Sequence, residues 1–83
     1  MRKACRMIRS ASATDPLTQL GHNLRRLRGE AGFSQESFAL HAGINRGYIG
    51  DVERGQRNVS LRNLVKISRA LGIPLDELLR DVR

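Results

Sequence analysis

Between residues 45 and 58, Asn45, Arg46, Tyr48, Asp51, Arg54, Arg57 and Asn58 are side chains of the kinds that grip phosphates and read base edges. The fork of Arg46 matches the O6 and N7 acceptors of a guanine, a contact worth about 1 to 3 kcal/mol of discrimination; otherwise Arg46 is a solvated surface arginine. Tyr48 either stacks or hydrogen-bonds at a groove or closes the edge of the core. Asp51 either accepts from a cytosine amino group or pairs with a neighbouring arginine, since phosphates repel a carboxylate. Arg54, Arg57 and Asn58 lie where basic and amide groups would reach the nucleic-acid backbone, setting affinity rather than sequence choice. Other chemistries lack their parts. His22 and His41 have only the distant Cys5 for company, which gives zinc no ligand set. Ser34, Ser37 and His41 lack the oriented acid that a nucleophile and its base require. The sequence therefore argues against an enzyme and calls for no metal or cofactor.

These side chains need a rigid support, and the run Phe33 to Arg57 supplies one in local signals. Ser34 is an N-cap for a helix over residues 35 to 42, in which Phe38, Ala39 and Ala42 share a face. Gly43 suits the left-handed stop, and Asn45 caps a second helix, Arg46 to Arg54, that ends at Gly55. Two short helices about a glycine turn form a helix-turn-helix, with Ile44, Ile49 and Val52 directed inward. Gly47 and Gly50 each cost about 1 kcal/mol relative to alanine inside a helix and offer no side chain to a base. They either let the backbone approach a ligand closely or are merely tolerated.

The chain resembles the Cro/C1-type helix-turn-helix family, which includes phage repressors and the controllers of restriction-modification systems. The likeness covers roughly Leu20 to Leu79. It is carried by Leu24, Leu27 and Arg28, Ser34-Gln35, Phe38-Ala39, Ala42-Gly43-Ile44, Tyr48-Ile49, Glu53-Arg54-Gly55, Ala70-Leu71-Gly72 and Asp76-Glu77-Leu78-Leu79, in order and at family spacing. The resemblance implies a five-helix, lambda-repressor-like fold whose third helix enters the major groove. It also implies a phosphate contact from Gln35, where the helix start adds free amides, and a structural ion pair between Arg28 and Glu53 across the first and third helices.

Around this unit the pattern is all-α. Asp15 and Pro16 start a first helix with a stripe of Leu20, Leu24, Leu27 and Ala31, ending at Gly32. Ser60 caps a fourth helix lined by Leu61, Leu64, Ile67, Ser68 and Leu71, and Pro74 opens a fifth that runs to about Asp81. Residues 15 to 83 thus form one domain. Residues 1 to 14 carry four basic side chains and no acid, and are read as a flexible tail that is either a basic arm for the minor groove or a simple extension.

The net charge of +7, with 15 basic against 8 acidic residues, suits a polyanion such as double-stranded DNA. No apolar run is long enough to span a membrane, no small-molecule ligand is implied, and the single Cys5 fits a reducing cytoplasm. One short reading helix contacts few base pairs, so a homodimer on palindromic DNA is expected. Leu75, Leu78, Leu79 and Val82 crowd a short last helix and are the candidate dimer surface, unless they cap the monomer core. Two functions follow: a transcriptional regulator acting at its own or a neighbouring promoter, or a helix-turn-helix antitoxin that neutralises a partner toxin.

Overall fold

The computed structural model describes residues 15–83, which form five helices and no strand: α1 (Pro16–Glu30), α2 (Gln35–Ala42), α3 (Arg46–Glu53), α4 (Leu61–Leu71) and α5 (Leu75–Leu78). The expected tail and its arm lie outside the described residues. Each of the first four helices starts on a side-chain cap. The Asp15 carboxylate accepts from the amides of Leu17 and Thr18 at 3.0 and 3.3 Å, and Pro16 occupies the first turn, where its missing N–H costs nothing. Ser34 and Ser37 form a reciprocal capping box: the Ser37 amide donates to Ser34 Oγ at 3.0 Å and the Ser34 amide to Ser37 Oγ at 2.9 Å. Gly43 then stops α2 in the left-handed region at φ 71°, which lets Ile44 donate back to the Ala39 carbonyl at 3.0 Å.

Leu20, Leu24 and Leu27 of α1 meet Phe38 and Ala39 of α2, Ile49 and Val52 of α3, Ile67 of α4 and Leu78 of α5 in one core. Ile44 packs against it from the turn. Helix α1 lies against α3, α2 bridges α3 and α4, and α5 closes on α1 and α4. The approach of α1 to α3 depends on Gly21, where a Cβ would stand 2.5 Å from the Glu53 carbonyl oxygen and 2.6 Å from that of Val52. At the other end of α3, Gly55 sits at φ 72° with its Cα facing Thr18, whose backbone would be 3.1 Å from a Cβ there.

Four expectations are corrected. Ala31 is the exposed C-cap of α1 rather than the end of its buried stripe, because the helix stops at Glu30. Leu61 is 66% exposed, since the first turn of α4 overhangs the core that Ile67 and Ser68 enter about two turns later. Helix α3 closes one residue early, with Arg54 as its C-cap. Helix α5 is a single turn, preceded by Pro74 and followed by turns in which Asp81 takes φ 64°.

Asn23 explains how so short a helix is held. Its buried amide donates to the carbonyls of Leu78 at 2.9 Å and Arg80 at 2.8 Å, while Gln19 Nε2 donates to its Oδ1 at 3.0 Å. The C-terminal carbonyls that a one-turn helix leaves open thus find their donor on α1. Replacing Asn23 by alanine strands the Leu78 carbonyl and is expected to cost about 1 to 3 kcal/mol. Hydrogen exchange should localise the effect to the amides of residues 75–82. Protection unchanged there would show that packing alone seats α5.

Candidate nucleic-acid interface

The outer face of α3 and the loop after it carry the candidate side chains, and the structure sorts them into free and engaged groups. Arg46 stands exposed on the first turn, and none of the described ion pairs takes it up. Asn45 is exposed beside it, but its Oδ1 accepts from the amides of Gly47 at 2.7 Å and Tyr48 at 3.3 Å, so only its NH2 faces outward as a donor. Tyr48 is half-buried. Its ring packs against the core and its hydroxyl accepts from Asn63 Nδ2 of α4 at 3.0 Å, so it closes the core edge. The guanidinium of Arg57 lies over that ring, 4.8 Å from its centre, within cation–π range.

Asp51 is paired within the chain. One carboxylate oxygen accepts from Arg54 Nη2 at 2.5 Å and the other from Arg57 Nη2 at 3.1 Å. The hydrogen bond from Arg57 and then that from Arg54 hold the carboxyl below its ordinary range, against an opposing effect of partial desolvation. The pairing with a neighbouring arginine that the sequence left open is present, and it is made twice. Arg54 also donates from Nε to Gln56 Oε1 at 3.4 Å, and Asn58 stands exposed further along the loop.

Gln35 opens α2 beside this surface, with its side chain turned inward: Nε2 donates to Glu53 Oε1 at 2.9 Å. Gln35 also stands at the start of α2, where the first amides lack intrahelical partners. Glu53 also receives Arg28, with Nε to Oε2 at 2.6 Å and Nη2 to Oε1 at 3.0 Å, and Arg28 Nη1 donates to the Phe33 carbonyl at 2.8 Å. The two side chains are 13% and 4% exposed. The hydrogen bond to Glu53 raises the Arg28 pKa above its already high value, with burial opposing. This fork-to-fork pair ties α1, the α1–α2 turn, α2 and α3 into one piece.

The two glycines of α3 part company. Gly50 is buried, and a Cβ there would stand 3.2 Å from Arg54 Nη1 and 3.6 Å from Gln35 Oε1, so its smallness serves the packing of those side chains. Gly47 is exposed and would meet only the capping Asn45 Oδ1 at 3.0 Å, which leaves close approach of an outside partner to Gly47 alone.

Of the proposed dimer set, Leu78 is withdrawn, because it is 0% exposed within its own chain. Leu75, Leu79 and Val82 are half-buried on the same end. His41 is structural rather than catalytic: its ring stacks on Phe33 at 5.0 Å and Nε2 lies 3.1 Å from the Ala70 carbonyl, linking α2 to α4. Among the described residues no cluster of three metal-ligating side chains occurs and no helix is long and apolar enough to cross a membrane. The sequence reading missed Gly21, Asn23 and Asn63. Gly21 alone left a signal, as a glycine beside Leu20 in the apolar stripe.

The fold and this surface define a helix-turn-helix protein, and comparison with known proteins agrees. The helix-turn-helix family model matches residues 24–78. Control protein C.MunI of Mycoplasma sp is 49% identical over 65 residues, 77% of this chain and 88% of its own length. Control protein C.BamHI of Bacillus amyloliquefaciens is 47% identical over 60 residues, 71% of this chain and 74% of its own. The crystal structure of the restriction-modification controller protein C.AhdI from Aeromonas hydrophila superposes with a TM-score of 0.73 at 52% identity, covering 75% of this chain and 94% of that one. The chain belongs to the helix-turn-helix family, in its Cro/C1-type branch of DNA-binding transcription regulators. Its similar proteins bear the names of regulators, not of enzymes.

Proposed function

We propose that this chain is the controller of a restriction-modification system, a homodimer that binds palindromic operator DNA and acts at its own or a neighbouring promoter from the cytoplasm. The observation that carries the DNA-reading role is the free, exposed Arg46 on the first turn of a helix whose other polar groups are engaged in holding its shape. The amide of Asn45 and the exposed backbone at Gly47 flank it, the α2 start at Gln35 offers a phosphate its amides, and Arg54, Arg57 and Asn58 face the adjoining backbone. The names of the control proteins that it resembles support the controller assignment. Leu75, Leu79 and Val82 form the surface at which a second copy joins, and two-fold pairing there gives half-sites about one helical turn, roughly 34 Å, apart.

Selection of bound duplexes from a random pool at physiological salt, with Arg46→Ala in parallel, tests this directly. The expected product is an inverted repeat with a guanine at the position Arg46 reads. In the variant that position loses about 1 to 3 kcal/mol of preference. Recovery of unrelated sequences by both proteins would defeat the reading and favour a protein partner, the antitoxin alternative. Sedimentation with and without the selected DNA reports the dimer.

A further inference from the structure

One carboxylate holds both arginines on the loop side of α3. Asp51 lies between Arg54, the C-cap of α3, and Arg57 in the loop, 2.5 and 3.1 Å from their Nη2 atoms, and it is itself 31% exposed. Arg57 is fixed a second time by lying over Tyr48, which Asn63 bonds from α4. The arginines remain about half exposed, at 56% and 46%, so each presents the remainder of its fork to solvent.

We propose that Asp51 is a selectivity-setting positioning residue: it holds Arg54 and Arg57 at a fixed spread and competes with phosphate for them, weakening binding to random DNA more than binding to the operator. This rests on reading α3 as the DNA-contacting helix. Two arginines and one aspartate carry a net charge of +1 where two free arginines would carry +2. Binding to random DNA comes almost wholly from phosphate neutralisation, so it loses most from that offset. On the operator, base-edge contacts at Arg46 fix the register, and the phosphates arrive where the two guanidinium groups already point. A preset geometry then returns part of what the carboxylate withholds. Removing the carboxylate frees the arginines to follow any phosphate, which raises affinity without regard to sequence.

The experiment measures affinities of the wild type, Asp51→Asn and Asp51→Glu for the selected operator and for a random duplex across a salt series, after thermal unfolding has shown each protein folded. Asp51→Asn should bind the random duplex about tenfold tighter near 0.1 M salt, with log K against log salt steeper by about 0.9, the equivalent of one more phosphate. Its operator-to-random ratio should fall by a similar factor, while Asp51→Glu, which keeps the charge, stays near the wild type. Adding Arg57→Gln to Asp51→Asn should return the slope to the wild-type value. A loss of operator binding with random binding unchanged would identify Asp51 as a base contact and overturn the proposal, as would an unchanged ratio and slope. A wild type without preference for any duplex would defeat both this inference and the function on which it rests.

Discussion

Replacing Gly21 by alanine is expected to lower the melting temperature by on the order of 10 °C or more, whereas the same change at Gly29, two turns along the same helix, should leave it unchanged or raise it. At position 21 the new methyl would lie 2.5 and 2.6 Å from two carbonyl oxygens of α3, which are backbone atoms that no rotamer change can remove. Helices α1 and α3 must separate. Overpacking of this kind costs about 1 to 3 kcal/mol, and each kcal/mol shifts the midpoint of a domain this small by about 4 to 8 °C. At Gly29 a Cβ meets nothing within 4 Å, so only the helix propensity of alanine counts, roughly 1 kcal/mol in its favour. Thermal unfolding followed by circular dichroism compares the two. Equal midpoints would show that α1 and α3 can separate at little cost and that Gly21 does not set their distance.

The second large effect belongs to Arg28 and Glu53. Truncating either to alanine should cost about 3 to 5 kcal/mol, because the partner is left charged and largely out of water. Glu53→Ala also removes the acceptor that turns Gln35 inward, and Arg28→Ala removes the donor to the Phe33 carbonyl. A domain of this size has roughly 5 kcal/mol in all, so the single variants should be substantially unfolded at body temperature. The pair Arg28→Met with Glu53→Leu should cost much less than the sum of the two losses, since two apolar side chains leave no buried charge. Urea unfolding of the alanine singles and of the apolar double decides it. Losses that simply add would mean that the two groups do not depend on each other and that the ion pair is incidental to the fold.

Local chemistry was legible in the sequence, and long-range return was not. Ser34, Gly43, Asn45 and Gly55 act on backbone within a few residues of themselves, so the ends of α2 and α3 could be read to within a residue. The stripe of Leu20, Leu24 and Leu27 was legible for the same reason. Asn23 acts on residues more than fifty positions away, and nothing beside it announces that the chain comes back there. Asp51 shows the intermediate case. Its arginines at 54 and 57 were visible as candidates, but the choice between a base and a guanidinium depended on the loop after Gly55 carrying Arg57 back over Tyr48. Leu61 misled because helical spacing says which side a residue faces and not whether the core extends as far as the first turn.

The capped turn between α2 and α3 has a further consequence. Its shape is set by Gly43 and by Asn45 Oδ1, while Arg46 is exposed and belongs neither to the core nor to the residues packed against it. Scaffold and the proposed reading surface therefore answer to separate selective pressures. On the proposed reading of Arg46 as a base contact, substitution there would carry a descendant to a different operator without disturbing the fold, so two such regulators in one cell would drift apart in the sites they address while the body beneath those side chains stays the same.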